Sequence, residues 1–225
     1  MGYISIIDYG MGNLSSVANA ILKAGFQAKT TSEKKCIIKS EGVILPGVGS
    51  FHRAMKNLRH TGLSGVIREV IAEGKPFLGI CLGHQLLFTE SDEGGKPCKG
   101  FNVIEGVVRK FPDGLKVPQM GWNTLDITRR ENIIEGVKRP LFMYFAHSYY
   151  AEAREKSLVV ARTRYGIVFD SMVSFKNVIG MQPHPEKSGE AGLKILKNFC
   201  GMCVEKKQGK RDKHAHEEDN TVPGR

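Results

Sequence analysis

One stretch constrains this chain more than any other: Lys75-Pro76-Phe77-Leu78-Gly79-Ile80-Cys81-Leu82-Gly83-His84-Gln85-Leu86-Leu87-Phe88. It reads as a short buried strand, a sharp turn centred on Cys81, and a helix. Gly79 and Gly83 stand two residues to either side of the cysteine, where a bulky side chain would crowd a strained strand-to-helix turn. The same spacing around a serine makes a nucleophile elbow. A cysteine there also sits at a helix N-terminus, where unpaired N–H groups and the helix dipole favour the thiolate. A buried structural cysteine on an ordinary turn has the same local pattern, so a reactive role needs partners elsewhere in the chain.

The segments before it alternate in type. Tyr3 to Ile7 is a short apolar run ending at Asp8, and Tyr9-Gly10-Met11-Gly12-Asn13 is a turn in which Asn13 is placed to cap a helix. Leu14, Val17, Ala18, Ile21 and Leu22 then follow the 3.6-residue period, closed by Gly25. The Gly-x-Gly here is not a dinucleotide fingerprint, since Ser15 stands where a third glycine belongs. Phe26 to Thr30 and Gly42 to Leu45 read as strands. The second leads into Pro46-Gly47-Val48-Gly49-Ser50, a loop exposing backbone N–H groups at a strand's C-terminal end, where open α/β sheets place ligands. It suits a phosphate, an oxyanion, or nothing but a connection; it lacks the Gly-Lys-Ser/Thr ending of a P-loop. Helical patterns cover 51–60 and 63–73.

Beyond the Cys81 helix, 91–100 is polar and glycine-rich, and Phe101 to Phe175 holds short apolar runs separated by turn signals. Val178 to Met181 is one more strand. The fold class expected is α/β: an open mixed, largely parallel central sheet with helices on both faces and an antiparallel extension. A last helix from near Ser188 should bury Leu193, Leu196, Phe199, Cys200 and Cys203. Residues 1–204 form the domain, and 205–225 form a charged tail without hydrophobic period, expected to be disordered.

Composition excludes several classes. At 225 residues, 41% hydrophobic and 25% charged, the chain suits a globular domain with a substantial core. No apolar run is long enough to span a membrane and Asp8 arrives too early for a signal peptide, so a cytoplasmic protein is expected. Of the net charge of +10, the tail contributes +1. The remaining lysines and arginines are scattered rather than interleaved with aromatics. That disfavours a nucleic-acid module and fits attraction for anionic substrates or an acidic partner. The five cysteines show no disulfide framework. Cys200 and Cys203 fall on one helix face and read as core rather than as a zinc pair, and no metal or cofactor is expected.

A cysteine nucleophile needs a base, and the base needs orienting. Of seven histidines, His52 and His60 lie on amphipathic helices, His214 and His216 in the tail, and His147 in an aromatic strand. His84, three residues after Cys81, faces the next element. His184 differs: it follows an apolar strand at the ligand end of the sheet, between Pro183 and Pro185, with Glu186 two residues on. In an extended segment that spacing puts both side chains on one side, so the carboxylate can fix the imidazole's tautomer and support its cation. A structural loop remains the other reading of the same residues.

Gly79-Ile80-Cys81-Leu82-Gly83-His84-Gln85 together with His184-Pro185-Glu186 resembles the class I (triad) glutamine amidotransferases. Further stretches are similar to the branch of that family that serves histidine biosynthesis: Ile7 to Leu14, Pro46 to Phe51, Val117-Pro118-Gln119-Met120-Gly121-Trp122-Asn123, Tyr144-Phe145-Ala146-His147-Ser148-Tyr149, and His184 to Gly189. The match spans about residues 3 to 203. The resemblance implies that Cys81 attacks the side-chain amide of L-glutamine, His184 shuttles protons and Glu186 orients it. It implies an oxyanion hole from Leu82 and the Val48–Gly49 loop, and glutamine binding by Gly49, Gln85, Ser148 and Tyr149.

Ammonia released here needs an acceptor site. The 39 residues after Glu186 leave no room for a (β/α)8 barrel, which takes roughly 250. The resemblance therefore implies a separate barrel cyclase subunit, making imidazole glycerol phosphate and an aminoimidazole carboxamide ribonucleotide. Asn13, Trp122, Tyr144 and Lys187 match the family's interface, although Trp122 and Tyr144 would serve equally as core aromatics. Two positions depart from the pattern: Pro183 replaces an aromatic residue and forces Gln182 into an extended conformation, and His84 stands where this branch often has methionine. Other readings are a paralogous subunit feeding a different acceptor enzyme, a catalytically silent regulatory subunit on the same fold, and a cysteine hydrolase on a related fold.

Overall fold

The computed structural model describes residues 2–219, with side chains described for 2–205. The expectation for the tail falls almost wholly outside the described side chains. The chain builds β1 (Ile4–Ile7), α1 (Leu14–Lys23), β2 (Ala28–Thr31), α2 (Lys34–Lys39), β3 (Gly42–Leu45), α3 (Phe51–His60), α4 (Leu63–Ala72) and β4 (Phe77–Ile80). Next come α5 (Leu82–Gln85), β5 (Phe88–Ser91), β6 (Cys98–Lys99), β7 (Ile104–Lys110), β8 (Gln119–Ile127), β9 (Leu141–His147) and β10 (Tyr149–Ala153). Last are β11 (Val159–Tyr165), β12 (Ile167–Phe175), β13 (Val178–Met181) and α6 (Gly189–Asp219).

A nine-stranded sheet runs β2-β1-β3-β4-β13-β12-β11-β8-β9. The strands from β2 to β13 pair in parallel and those from β12 to β9 antiparallel, as the alternation of elements predicts. Strands β1, β3, β4 and β13 are buried along their whole length, the pattern of parallel strands covered on both faces. Alternate residues point to two cores. Ile7, Val43, Leu45 and Phe77 join one with the apolar faces of α3 and α4; Ile4, Ile6, Ile44, Leu78 and Ile80 join the other with α1 and α6.

Three expectations change. The 101–175 region does not all extend one sheet, because β10, β7, β5 and β6 form a separate four-stranded sheet. The helix after Cys81 is only Leu82–Gln85, since Phe88 already starts a strand paired in register with Ile104. On α6 the buried stripe is Ile195, Leu196, Phe199, Cys200 and Cys203, leaving Leu193 at its edge. Cys200 and Cys203 are core residues, and burial pushes the Cys200 thiol up to about 12.

Candidate active site

Cys81 follows the C-terminal end of β4 at φ 53° and ψ −107°, a left-handed region that costs a non-glycine residue roughly 1–3 kcal/mol. The surroundings enforce it. Its N–H donates to the Met181 carbonyl at 2.8 Å, tying the turn to the end of β13. A Cβ on Gly83 would lie 1.8 Å from the Leu45 carbonyl oxygen, and one on Gly79 would lie 2.6 Å from the Gly83 carbonyl oxygen. Both glycines are there because backbone passes where a side chain would stand. The elbow expected from their spacing is present, but its one-turn helix is too short to carry the dipole effect expected of it.

The compensating charge comes from His184. It leaves β13 by way of Gln182 and Pro183, its N–H donates to the Tyr144 carbonyl at 2.8 Å, and its carbonyl accepts from the Ser188 hydroxyl at 2.5 Å. Its Nδ1–H donates to Glu186 Oε1 at 2.8 Å, which leaves Nε2 for the thiol. Both side chains are nearly inaccessible. Burial pulls the imidazole pKa down, but hydrogen bonding and charge from Cys81 and Glu186 outweigh it and push the ring up to about 10. These contacts favour the protonated form of the imidazole. With Pro183 before it, the His184 backbone is fixed on both sides by the hydrogen bonds of its N–H and its carbonyl.

The sulfur opens on a cleft of about 360 Å³ lined by Val48, Gly49, Cys81, Leu82, Gln85, Glu93, Pro118, Met120, Ala146, His147, Ser148 and Tyr149. All residues expected in the oxyanion hole and in glutamine binding therefore meet at one place. Leu82 N–H faces the Gly47 carbonyl at a long 3.4 Å, so a substrate oxygen would compete for a weakly held donor. Gln85 Nε2 donates to the Tyr149 carbonyl at 2.8 Å and to Gln182 Oε1 at 2.9 Å, which leaves its own Oε1 as an acceptor towards the cleft.

Sequence reasoning missed Glu93 and Gln182 as site residues. Glu93 comes from a polar loop with no recognisable signal; its Oε2 takes the Phe51 N–H at 2.6 Å, and it is the only carboxylate lining the cleft among the described residues. Gln182 lies directly before the His184 motif with its amide Nε2 3.6 Å from the Cys81 sulfur, and its full burial was the missing signal.

Trp122 and Tyr144 are cross-strand neighbours on β8 and β9, ring edge to ring face at 6.3 Å, and the Lys187 ammonium lies 5.8 Å from the Tyr144 ring. The core reading of Trp122 fails, as it is 59% exposed. Met120 (66% exposed) and Phe142 (49%) lie on the same face of this ribbon. Met120 also lines the cleft, so the apolar face continues to the site. Asn13 accepts from the Ser16 N–H at 3.3 Å and caps α1, which packs on the turn holding Lys187.

A family model described as Glutamine amidotransferase class-I matches residues 5–202, and the chain belongs to that family. Among solved structures, PurLQS from Thermotoga maritima aligns with a TM-score of 0.70 at 19% identity, covering 89% of this chain and 98% of that one. A glutamine amidotransferase from the same organism aligns at 0.60 and 15%, covering 92% and 85%. Within the family the chain is similar to curated proteins described as "Imidazole glycerol phosphate synthase subunit HisH". The Caldanaerobacter subterraneus protein is 50% identical over 199 residues, 88% of this chain and 98% of that protein. The Geobacter metallireducens protein is 48% identical over 207 residues, covering 89% and 98%. The chain thus falls in the HisH subunit group of the amidotransferases. No helix among the described residues is long and apolar enough to cross a membrane.

Proposed function

We propose that this chain is the glutaminase subunit of an imidazole glycerol phosphate synthase, hydrolysing L-glutamine to glutamate and ammonia and passing the ammonia to a separate (β/α)8-barrel cyclase in histidine biosynthesis. The observation that carries the reading is the Cys81 sulfur at the elbow beside the buried His184 imidazole, whose Nδ1–H donates to Glu186 at 2.8 Å. The Cys81 thiolate attacks the amide carbon of glutamine, and the carbonyl becomes an oxyanion held by Leu82 N–H and an N–H of the Val48–Gly49 loop. One such donor is worth about 3–4 kcal/mol of barrier. His184 then gives its Nε2 proton to the amide nitrogen, the C–N bond breaks, and ammonia leaves a glutamyl thioester. Water, deprotonated by His184, attacks that carbonyl; the C–S bond breaks and glutamate departs.

In this reading Gly49, Ser148 and Tyr149 hold the glutamine backbone, Gln85 Oε1 accepts from a glutamine N–H, and Glu93 faces the α-ammonium. The exposed Met120, Trp122, Phe142 and Tyr144 face beside the cleft suits the partner, with Lys187 and Asn13 at its margin. An apolar surface continuous with the site is where a subunit receiving ammonia would seat, because ammonia must not escape to solvent.

The test is glutamine hydrolysis by wild type and Cys81→Ala, with and without the cyclase and its nucleotide ligand. Activity should be low alone, rise with the liganded partner and vanish in the variant. Strong activity surviving Cys81→Ala would overturn the mechanism.

A further inference from the structure

We infer that Gln182 belongs to the catalytic machinery, donating a side-chain N–H to the Cys81 sulfur and holding it as a thiolate in line for attack. The inference rests on the proposed role of Cys81 as nucleophile. It starts from an inaccessible side chain: Gln182 is 0% exposed, its N–H donates to the Ser171 carbonyl at 2.8 Å, and Pro183 restricts it to an extended backbone. The amide is therefore aimed from a fixed strand end.

Its direction follows from the neighbours. A glutamine amide must be oriented by its hydrogen-bond network. The Tyr149 carbonyl oxygen can only accept, and it takes His147 Nδ1–H at 2.7 Å and Gln85 Nε2–H at 2.8 Å. That places the nitrogen end of Gln85, whose second N–H points at Gln182 from 2.9 Å. Gln182 must present its oxygen there. Its nitrogen end then lies 3.6 Å from the Cys81 sulfur. A chain that begins at an obligate acceptor thus ends in a donor to the sulfur.

A buried donor of this kind discriminates between the two states of its partner, since hydrogen bonds to charged groups are about twice as strong as neutral ones. The other groups facing Cys81 do not duplicate it: the Ala146 carbonyl oxygen, 3.9 Å from the sulfur, can only accept its S–H. His184, backed by Glu186, supplies the positive charge. Tyr9 faces the sulfur across the elbow, but its hydroxyl donates to the Pro46 carbonyl at 3.0 Å. His147 is held neutral chiefly by burial, with His184 nearby, and its Nδ1–H is taken by the Tyr149 carbonyl at 2.7 Å. Gln182 is also linked through Gln85 to Tyr149, a residue of the glutamine cleft.

The experiment compares wild type, Gln182→Met and Gln182→Glu as full chains in complex with the cyclase, each first shown folded by circular dichroism. Two quantities are read: the pH dependence of iodoacetamide labelling at Cys81, by peptide mass, and kcat and KM for glutamine. Gln182→Met removes the donor at similar volume; labelling should move up by about one pH unit and kcat fall about tenfold, with KM within about twofold. Gln182→Glu keeps the amide's shape and turns an acceptor towards the sulfur, so it should move the profile at least as far, and it carries the test if the methionine variant does not fold. A wild-type labelling profile in a folded variant would overturn the inference and leave Gln182 a purely structural residue. Cys81→Ala, run alongside, separates the two failures: activity surviving there would sink the nucleophile reading itself.

Discussion

His184 and Glu186 share a 2.8 Å hydrogen bond across a 3-10 turn rather than along an extended strand. Spacing alone predicts the pair on one side of extended backbone. Instead Pro185 opens a turn, closed by Lys187 N–H to the His184 carbonyl at 3.1 Å, and the carboxylate reaches back to Nδ1. A proline at the first position of such a turn needs no N–H partner and has its φ already set. The pairing survives because the turn is short and Ser188 pins its end to both the His184 carbonyl and the Tyr144 N–H.

Glu186→Gln should lower kcat for glutamine about a hundredfold or more, with KM little changed. A neutral amide no longer supports the imidazole cation, and it can hold the wrong tautomer. The pH dependence of labelling at Cys81 should change in the same variant. Full activity with glutamine at pH 7 would remove Glu186 from the mechanism.

Gly83→Ala should destabilise the fold by about 3 kcal/mol or more, because its Cβ would stand 1.8 Å from a backbone oxygen that cannot yield. Gly65→Ala is the control: this glycine lies exposed inside α4 with no atom within 4 Å of a new Cβ. There alanine should stabilise by about 0.5–1 kcal/mol through helix propensity. Urea unfolding of both variants measures the contrast.

Two of the buried histidines, His84 and His147, lower stability on the acid side. Burial, with His147 nearby, holds His84 down to about 3; burial holds His147 down to about 4. Unfolded, each titrates near its ordinary 6.5. Above that pH neither affects stability. Below it the unfolded chain gains protons the folded chain refuses, so stability falls from about pH 6.5 down through the folded values, by about 2 kcal/mol per histidine at pH 5. His84 packs edge-on to Phe88 with neither ring nitrogen in a well-formed hydrogen bond among the described residues. His84→Met should therefore flatten the acid loss while costing under about 1.5 kcal/mol at pH 8. Denaturant titrations at both pH values decide it.

Phe142→Asp should weaken binding of the cyclase at least tenfold while changing the subunit's own stability by no more than about 0.5 kcal/mol. The side chain is half exposed on the apolar face and is not among the described residues packed against either core. Calorimetric titration against the cyclase, beside urea unfolding of the free subunit, separates the two effects. Unchanged affinity would move the docking surface elsewhere.

Much of the site was legible before any coordinates. Gly79 and Gly83 around Cys81 announced a turn that only glycine allows, and each proved to face backbone within van der Waals distance. The contact between His184 and Glu186, for which the roles of base and orienter are proposed, was visible because they are neighbours in sequence. Gln182 and Glu93 were not visible as site residues. A buried amide and a loop carboxylate look ordinary in sequence, and their roles depend on partners 101 and 42 residues away.

Local chemistry written in the chain determined the parallel half of the sheet, through apolar four-residue strands alternating with helices of 3.6-residue period, and the elbow, through its glycines. Tertiary structure decided what acts on the sulfur. The short helix at Cys81 supplies little dipole, so the charge comes from His184, brought beside β4 because β13 pairs with it in parallel. Tertiary structure also decided which aromatics face outward, since β8 and β9 lie at the sheet's edge, where one face of a ribbon has no layer above it. Periodicity records which residues share a face; only packing of the whole chain determines whether that face is covered.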